Sequence, residues 1–166
     1  MARSLTNLAS LFLSDQKAFR ASVLHPVLIW KAPPTDASMQ SWQGTHSGMG
    51  PARPHEGQAV VFDVLKDPNK QNAFAMGVTV GRIDTNDVPL DDVSVSRFHA
   101  WLQQDAKGWV LCDADSKNGT FCDGKRLEPK QKLPISDKAK LKFGEVEVTF
   151  IEVSSLIAMM EELMRK

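Results

Sequence analysis

The chain has 166 residues, 42% of them hydrophobic, and its 20 Lys and Arg side chains are balanced by 20 Asp and Glu. That length holds one modest core, and a formal charge of zero gives no net field to attract nucleic acid or an anionic membrane, so neither is expected as a partner. Two cysteines, Cys112 and Cys122, are too few for a disulfide framework or a zinc site, and both are expected reduced and structural; the absence of a spanning apolar run and of a secretory leader makes the cytoplasm the expected address.

Residues 1–57 read as an N-terminal extension. Leu5, Leu8, Leu11 and Phe12 recur at helical spacing, and Ser14-Asp15 offers a cap for a second short helix through Arg20. Pro26-Val27-Leu28-Ile29-Trp30 follows as a buried-strand candidate. From Lys31 to Gly57, Pro, Gly, Ser and Thr dominate around isolated Met39, Trp42 and Met49, the composition of an irregular connector.

From Gln58 the period changes to two. Val60, Phe62 and Val64 alternate, Asp67-Pro68-Asn69 turns, and Phe74, Met76, Val78 and Val80 alternate again up to Gly81-Arg82. After Pro89-Leu90, Phe98, Ala100 and Leu102 are expected on one side of a strand and His99 and Trp101 on the other. Asp105-Ala106-Lys107-Gly108 and Asp123-Gly124 signal hairpins. Leu141 and Phe143 precede Gly144, and Val146, Val148 and Phe150 alternate with polar residues. Many short strands separated by frequent turns predict an all-β sandwich over 58–153. The tail, 154–166, predicts a helix capped by Ser154 or Ser155, with Leu156, Met159, Met160 and Leu163 forming a stripe expected to dock on its own domain.

Three polar clusters punctuate the strands: Gly81-Arg82, Ser96-Arg97-Phe98-His99-Ala100 and Ser116-Lys117-Asn118-Gly119-Thr120-Phe121. Placed on loops of a β-scaffold, an arginine fork, a serine hydroxyl and an asparagine amide supply the donors a phosphorylated peptide needs. Between Gly81 and Arg126 there are six basic residues against eight acidic ones, a balance that disfavours polyanions but admits a single phosphate where cations converge.

In their order and spacing, the Gly-Arg pair, Ser-x-x-His and Asn-Gly make the stretch from about Gln58 to Val153 resemble a forkhead-associated (FHA) domain. The resemblance implies an eleven-strand β-sandwich whose loops bind phosphothreonine in a protein or peptide, within Ser/Thr-kinase signalling, the partner being a kinase or its substrate. It implies that Arg82 holds the phosphate, with Asp84 or Asp87 as its competing surface partners, and that Ser96 donates to a phosphate oxygen. Asn118 would grip the peptide backbone, and Arg97 and Lys117 would add phosphate or backbone contacts. Gly81, His99, Gly119 and Thr120 would brace the loops, His99 as a structural group rather than a catalyst.

Other chemistry finds no support in the sequence. Asp113-Ala114-Asp115 begins like a calcium loop but lacks the later ligands, Gly48-Met49-Gly50 is followed by Pro51 instead of a helix, and His46 and His55 have no companion ligands. No catalytic group, metal or cofactor is expected. The second reading is a phosphate-independent FHA-like scaffold that self-associates or assembles a partner through its terminal helices and sandwich face.

Overall fold

The computed structural model describes residues 2–32, 54 and 57–166. Met39, His46, Gly48, Met49, Gly50, Trp42 and His55, and with them almost all of the expected connector, lie outside the described residues. The elements are β1 (Ala2–Ser4), α1 (Leu5–Ser14), α2 (Gln16–Ser22), β2 (Val27–Lys31), β3 (Ala59–Asp63), β4 (Val78–Gly81), β5 (Val88–Pro89), β6 (Ala100–Asp105), β7 (Gly108–Asp113), β8 (Thr120–Cys122), β9 (Lys125–Arg126), β10 (Leu133–Ile135), β11 (Lys140–Phe143), β12 (Val146–Ile151) and α3 (Val153–Met164).

Seven strands form one sheet in the order β1-β3-β2-β12-β11-β8-β9, and five form a second in the order β10-β7-β6-β4-β5. Every pairing is antiparallel except β4 with β5. The two sheets enclose one core, which includes Leu28, Phe62, Val80, Leu102, Leu111, Leu141, Phe143 and Phe150. The other face of the seven-stranded sheet carries a second core, where Val27, Ile29, Val61 and Ile151 meet Leu8, Phe12 and Phe19 of α1 and α2 and Leu156 and Met160 of α3. This explains the unbroken apolar run Val27-Leu28-Ile29-Trp30: β2 is covered on both faces, so alternation has no polar side to express.

The expected sandwich is therefore present, and twelve strands are seen among the described residues. Two of them, β1 and β2, come from residues before 58, so the sheet runs across the sequence boundary placed there. Helix α1 starts at Ser4, whose hydroxyl accepts from Asn7 N at 3.0 Å, and α2 starts at Asp15, whose carboxylate accepts from Ala18 N at 2.9 Å. Phe12 and Phe19 meet edge to face at 5.1 Å and tie the two helices together.

The start of α3 departs from expectation. Its cap position is Glu152, which makes no side-chain capping bond, and neither Ser154 nor Ser155 fills the role. The carboxylate of Asp137, from the loop before β11, substitutes: it accepts from Glu152 N at 2.8 Å and from the Ser155 hydroxyl. Leu156 and Met160 are buried and Met159 packs against them, but Leu163 is 53% exposed, so the apolar stripe stops one turn early. The helix docks on its own domain. Leu8, Phe12, Leu156 and Met160 are covered within the chain, whereas Leu13, Leu163 and Met164 stay exposed on α1 and α3.

Two strand expectations also change. Phe74 and Met76 precede β4 in irregular backbone: Asn72 Oδ1 accepts from Phe74 N at 3.0 Å, a local turn that competes with strand pairing, and Met76 is 55% exposed. His99 lies one residue before β6, and the side-chain alternation breaks there. Phe98 points to the outer side, with its ring 5.2 Å from Phe74 and 6.1 Å from Trp101, whereas His99 is buried edge-on against Phe143.

Candidate functional site

The loops between β4 and β5, β5 and β6, β7 and β8, and β11 and β12 are stitched together at one end of the sandwich. Arg82 N donates to Ser96 O at 2.9 Å and Gly144 N to Gly119 O at 3.0 Å. Asn86 Nδ2 bridges Ile83 O (2.9 Å) and Arg97 O (2.7 Å). Ser96 Oγ accepts from Lys117 N at 3.1 Å, Asn118 Nδ2 donates to Ser94 O at 2.8 Å, and Ser94 Oγ accepts from Glu145 N at 2.9 Å. Arg82, Ser96, Arg97, Lys117 and Asn118, scattered over 37 positions of sequence, thus belong to one bonded loop cluster.

Gly81 makes the closest of these approaches feasible. A Cβ there would stand 2.2 Å from Arg97 O and 2.6 Å from Asn86 Nδ2, so any side chain would drive the two loops apart.

His99 joins the loops from beneath and is fully buried. Its Nδ1 accepts from Ser96 N at 3.0 Å, which places the ring proton on Nε2, and Nε2–H donates to Gly119 O at 2.9 Å. Burial pushes its pKa below the ordinary histidine value; the Gly119 carbonyl and the charge of Asp113 act the other way without overcoming it. A neutral ring with both nitrogens engaged is a spacer, not a proton carrier.

Asp113 does similar work for the next loop. Its buried carboxylate accepts from Ser116 Oγ at 2.5 Å, Ser116 N at 3.1 Å and Thr120 Oγ1 at 2.6 Å, and Ser116 Oγ in turn accepts from Gly119 N at 3.1 Å. Neither Asp113 nor Asn86 was marked by the motifs. Asp113-x-x-Ser116 carries a usable signal, a short acidic side chain able to bond backbone three residues on; Asn86 has none, because its acceptors lie in a second loop.

The cations are differently placed from these braces. Among the described residues the side chains of Arg82, Arg97 and Lys117 make no hydrogen bond or ion pair. Asp87, one of the two competing partners considered for Arg82, is buried and committed elsewhere: its carboxylate accepts from Lys66 Nζ (3.0 Å), Thr79 N (2.8 Å), Thr79 Oγ1 (3.1 Å) and Asp67 N (2.9 Å). Several acids counted along the sequence are engaged within the protein rather than free to pair with these cations. Asp87 and Asp113 are buried in these networks, and Asp105 and Asp123 accept from Lys107 N and Lys140 N in turns.

The result is a β-sandwich whose end loops carry cationic side chains, unpartnered among the described residues, together with a serine hydroxyl and an asparagine amide, the class of scaffold whose donors suit an anionic group. Comparison with known proteins gives the class its family. Residues 78–144 match the sequence model described as FHA domain. The chain is 30% identical over 102 residues to the oxoglutarate dehydrogenase inhibitor of Corynebacterium jeikeium, covering 60% of this chain and 68% of that protein. It is 25% identical over 136 residues to the glycogen accumulation regulator GarA of Mycolicibacterium smegmatis, covering 80% and 78%. Among solved structures it resembles an engineered FHA domain with a Myc-pTBD peptide, at a TM-score of 0.52, 14% identity, and coverage of 82% and 98%, a likeness of fold. The chain belongs to the FHA domain family.

Proposed function

We propose that this chain is a non-enzymatic reader of phosphothreonine in Ser/Thr-kinase signalling, with Arg82 and Ser96 on the phosphate, Arg97 and Lys117 as further anion contacts, and Asn118 on the peptide backbone. The observation that carries the reading is that Arg82, Ser96, Arg97 and Lys117 lie on loops bonded to one another, with the three cationic side chains unpartnered among the described residues and the Ser96 oxygen already accepting from Lys117 N, which leaves its hydroxyl proton without an acceptor among those residues. A phosphate oxygen is the acceptor that this arrangement fits. Asn118 uses one amide hydrogen on Ser94 O and retains a second hydrogen and its carbonyl oxygen, the pair a peptide backbone requires.

The relatives' names, an inhibitor and a regulator, agree with action by binding. The partner on this reading is a phosphothreonine-bearing kinase or kinase substrate. The natural setting is cytoplasmic, and no helix among the described residues is long and apolar enough to cross a membrane.

The test is titration of one peptide sequence in four forms. Phosphothreonine should bind best and phosphoserine about fourfold more weakly, since burying the threonine methyl contributes about 0.8 kcal/mol. Phosphotyrosine should bind worst because its ring sets the phosphate too far from the backbone, and the unmodified form should not bind. Equal retention of modified and unmodified peptide would instead support a phosphate-independent scaffold.

A further inference from the structure

One cation at the loop end was not singled out by any motif. Arg126, on the two-residue strand β9, is exposed, and its guanidinium reaches back over the Asn118-Gly119 turn. A Cβ at position 119 would stand 3.0 Å from Arg126 Nε, 3.1 Å from Cζ and 3.2 Å from Nη2, so glycine clears the space in which the fork lies. Phe121, the register partner of Arg126, has its ring centroid 5.9 Å from Cζ, and Lys142, the register partner of Phe121 on the other side, brings its ammonium to 5.6 Å from the same ring. Lys142 is loosely matched by Glu145 at 3.9 Å, whereas Arg126 makes no hydrogen bond or ion pair among the described residues.

This geometry differs from a freely swinging surface arginine. The backbone of Gly119 bounds the guanidinium on one side, the ring of Phe121 lies near it, and its donors have no acceptor among the described residues. It stands beside the residue assigned to the peptide backbone, so a chain held by Asn118 passes within reach of it. An extended peptide advances about 3.3 Å per residue, which places the matching group within a few residues of the phosphothreonine.

We infer that Arg126 is a specificity-determining residue that binds a second anionic group, an Asp or Glu carboxylate or a further phosphate, on the same phosphothreonine peptide. The inference rests on the phosphothreonine reading and adds to it a requirement on ligand sequence. It also follows that the hairpin carrying Arg126 is part of the ligand surface, not only an edge of the sheet.

The experiment uses the full chain and fluorescent peptides with phosphothreonine in an Ala-Gly background, with a single Asp, phosphoserine or Lys walked from four residues before to four after it. At one or two positions Asp should tighten binding roughly 5-fold to 10-fold over Ala, phosphoserine at least as much, and Lys should weaken it. Arg126→Glu should abolish the Asp preference and turn it toward Lys. Arg126→Lys should keep part of it, because charge survives while the fork is lost. Lys125→Glu changes net charge equally next door and should leave the position-specific preference in place; its disappearance in that variant would mean a diffuse field and would overturn the contact. Thermal melting should show all three variants folded, since Arg126 is exposed. Tight phosphothreonine binding that is indifferent both to acid position and to Arg126→Glu would sink this inference and leave the phosphothreonine reading standing, whereas no phosphothreonine binding by the unaltered chain would remove both.

Discussion

The Arg82 side chain makes no hydrogen bond or ion pair among the described residues, so its removal takes no polar contact from the fold. Arg82→Ala should therefore leave the melting temperature unchanged while weakening phosphothreonine peptide binding about 10-fold to 150-fold, the range for losing a charged hydrogen bond of roughly 1.5 to 3 kcal/mol. Calorimetry on the folded variant checks both halves, and intact affinity would remove Arg82 from the site. His99 behaves oppositely, as a residue of the fold. Its pKa is depressed by burial, so the unfolded chain binds a proton that the folded chain refuses; stability is full above the ordinary value of about 6.5 and is lost as pH falls from there toward the depressed value. Urea midpoints of the peptide-free protein should fall between pH 7 and pH 5, and His99→Gln, less stable at pH 7 by about 1 to 3 kcal/mol, should show a flatter slope over that range. The same slope in both proteins would mean that His99 is not the titrating group. At this scale chemistry and order in the sequence marked Arg82, Ser96, His99 and Asn118, which the fold brings into one bonded loop cluster. Asn86 and Arg126 were silent because what makes each one matter is an acceptor or a glycine that only folding brings alongside, whereas Asp113 carried its signal in the Ser three residues on.

Among the elements, hairpins were the most legible. Asp123 and Gly124 take φ of 48° and 84°, the left-handed pair that an Asp-Gly dipeptide announces, and they join β8 to β9 as expected. Apolar periodicity was less dependable where a side chain offers its own bond to the backbone, as Asn72 does before Phe74, and where the strand begins one residue late, at Ala100. The start of α3 could not be found locally at all, since its capping group is Asp137, 15 residues before Glu152. Burial of Asp137 opposes its ionisation, but the Ser155 hydroxyl, the Glu152 N–H and the charge and N–H of Lys138 together outweigh it and hold the pKa below the ordinary 3.8. The stabilisation is thus present at neutral pH and is lost as pH falls through that lowered value. Asp137→Asn should cost about 0.5 to 2 kcal/mol at pH 7, with the gap to the unaltered protein closing in acid below pH 3.8. Chemical denaturation at the two pH values checks it; an undiminished gap in acid would assign the loss to packing.

For the molecule as a whole, the three layers divide the labour: the five-stranded sheet and the shared loop end carry the candidate site, while the helices seal the far face of the seven-stranded sheet. Removing residues 153–166 should uncover Val27, Ile29 and Ile151, forfeiting about 1.5 to 3 kcal/mol for each of Leu156 and Met160. Dye binding to exposed apolar surface and earlier elution on size exclusion are the expected readouts, and a monomer as stable as the full chain would show the helix to be dispensable. The fold class was legible from strand patterning, yet the sheet order was not, because sequence alternation does not say which strands are neighbours. That order has a temporal side. Strand β12 lies between β2 and β11, and without it the seven strands fall into two separate groups of three, β1-β3-β2 and β11-β8-β9. Val27 pairs with Ile151, so the sheet closes only after residues 146–151 have been synthesised, far along the chain from β2. Such distant closure makes assembly slow and leaves the nascent chain with open strand edges. Ribosome-bound chains halted before Val146 should therefore remain protease-sensitive and unable to retain ligand, and competence should arrive in one step, late, when the last strand slides in as a keystone.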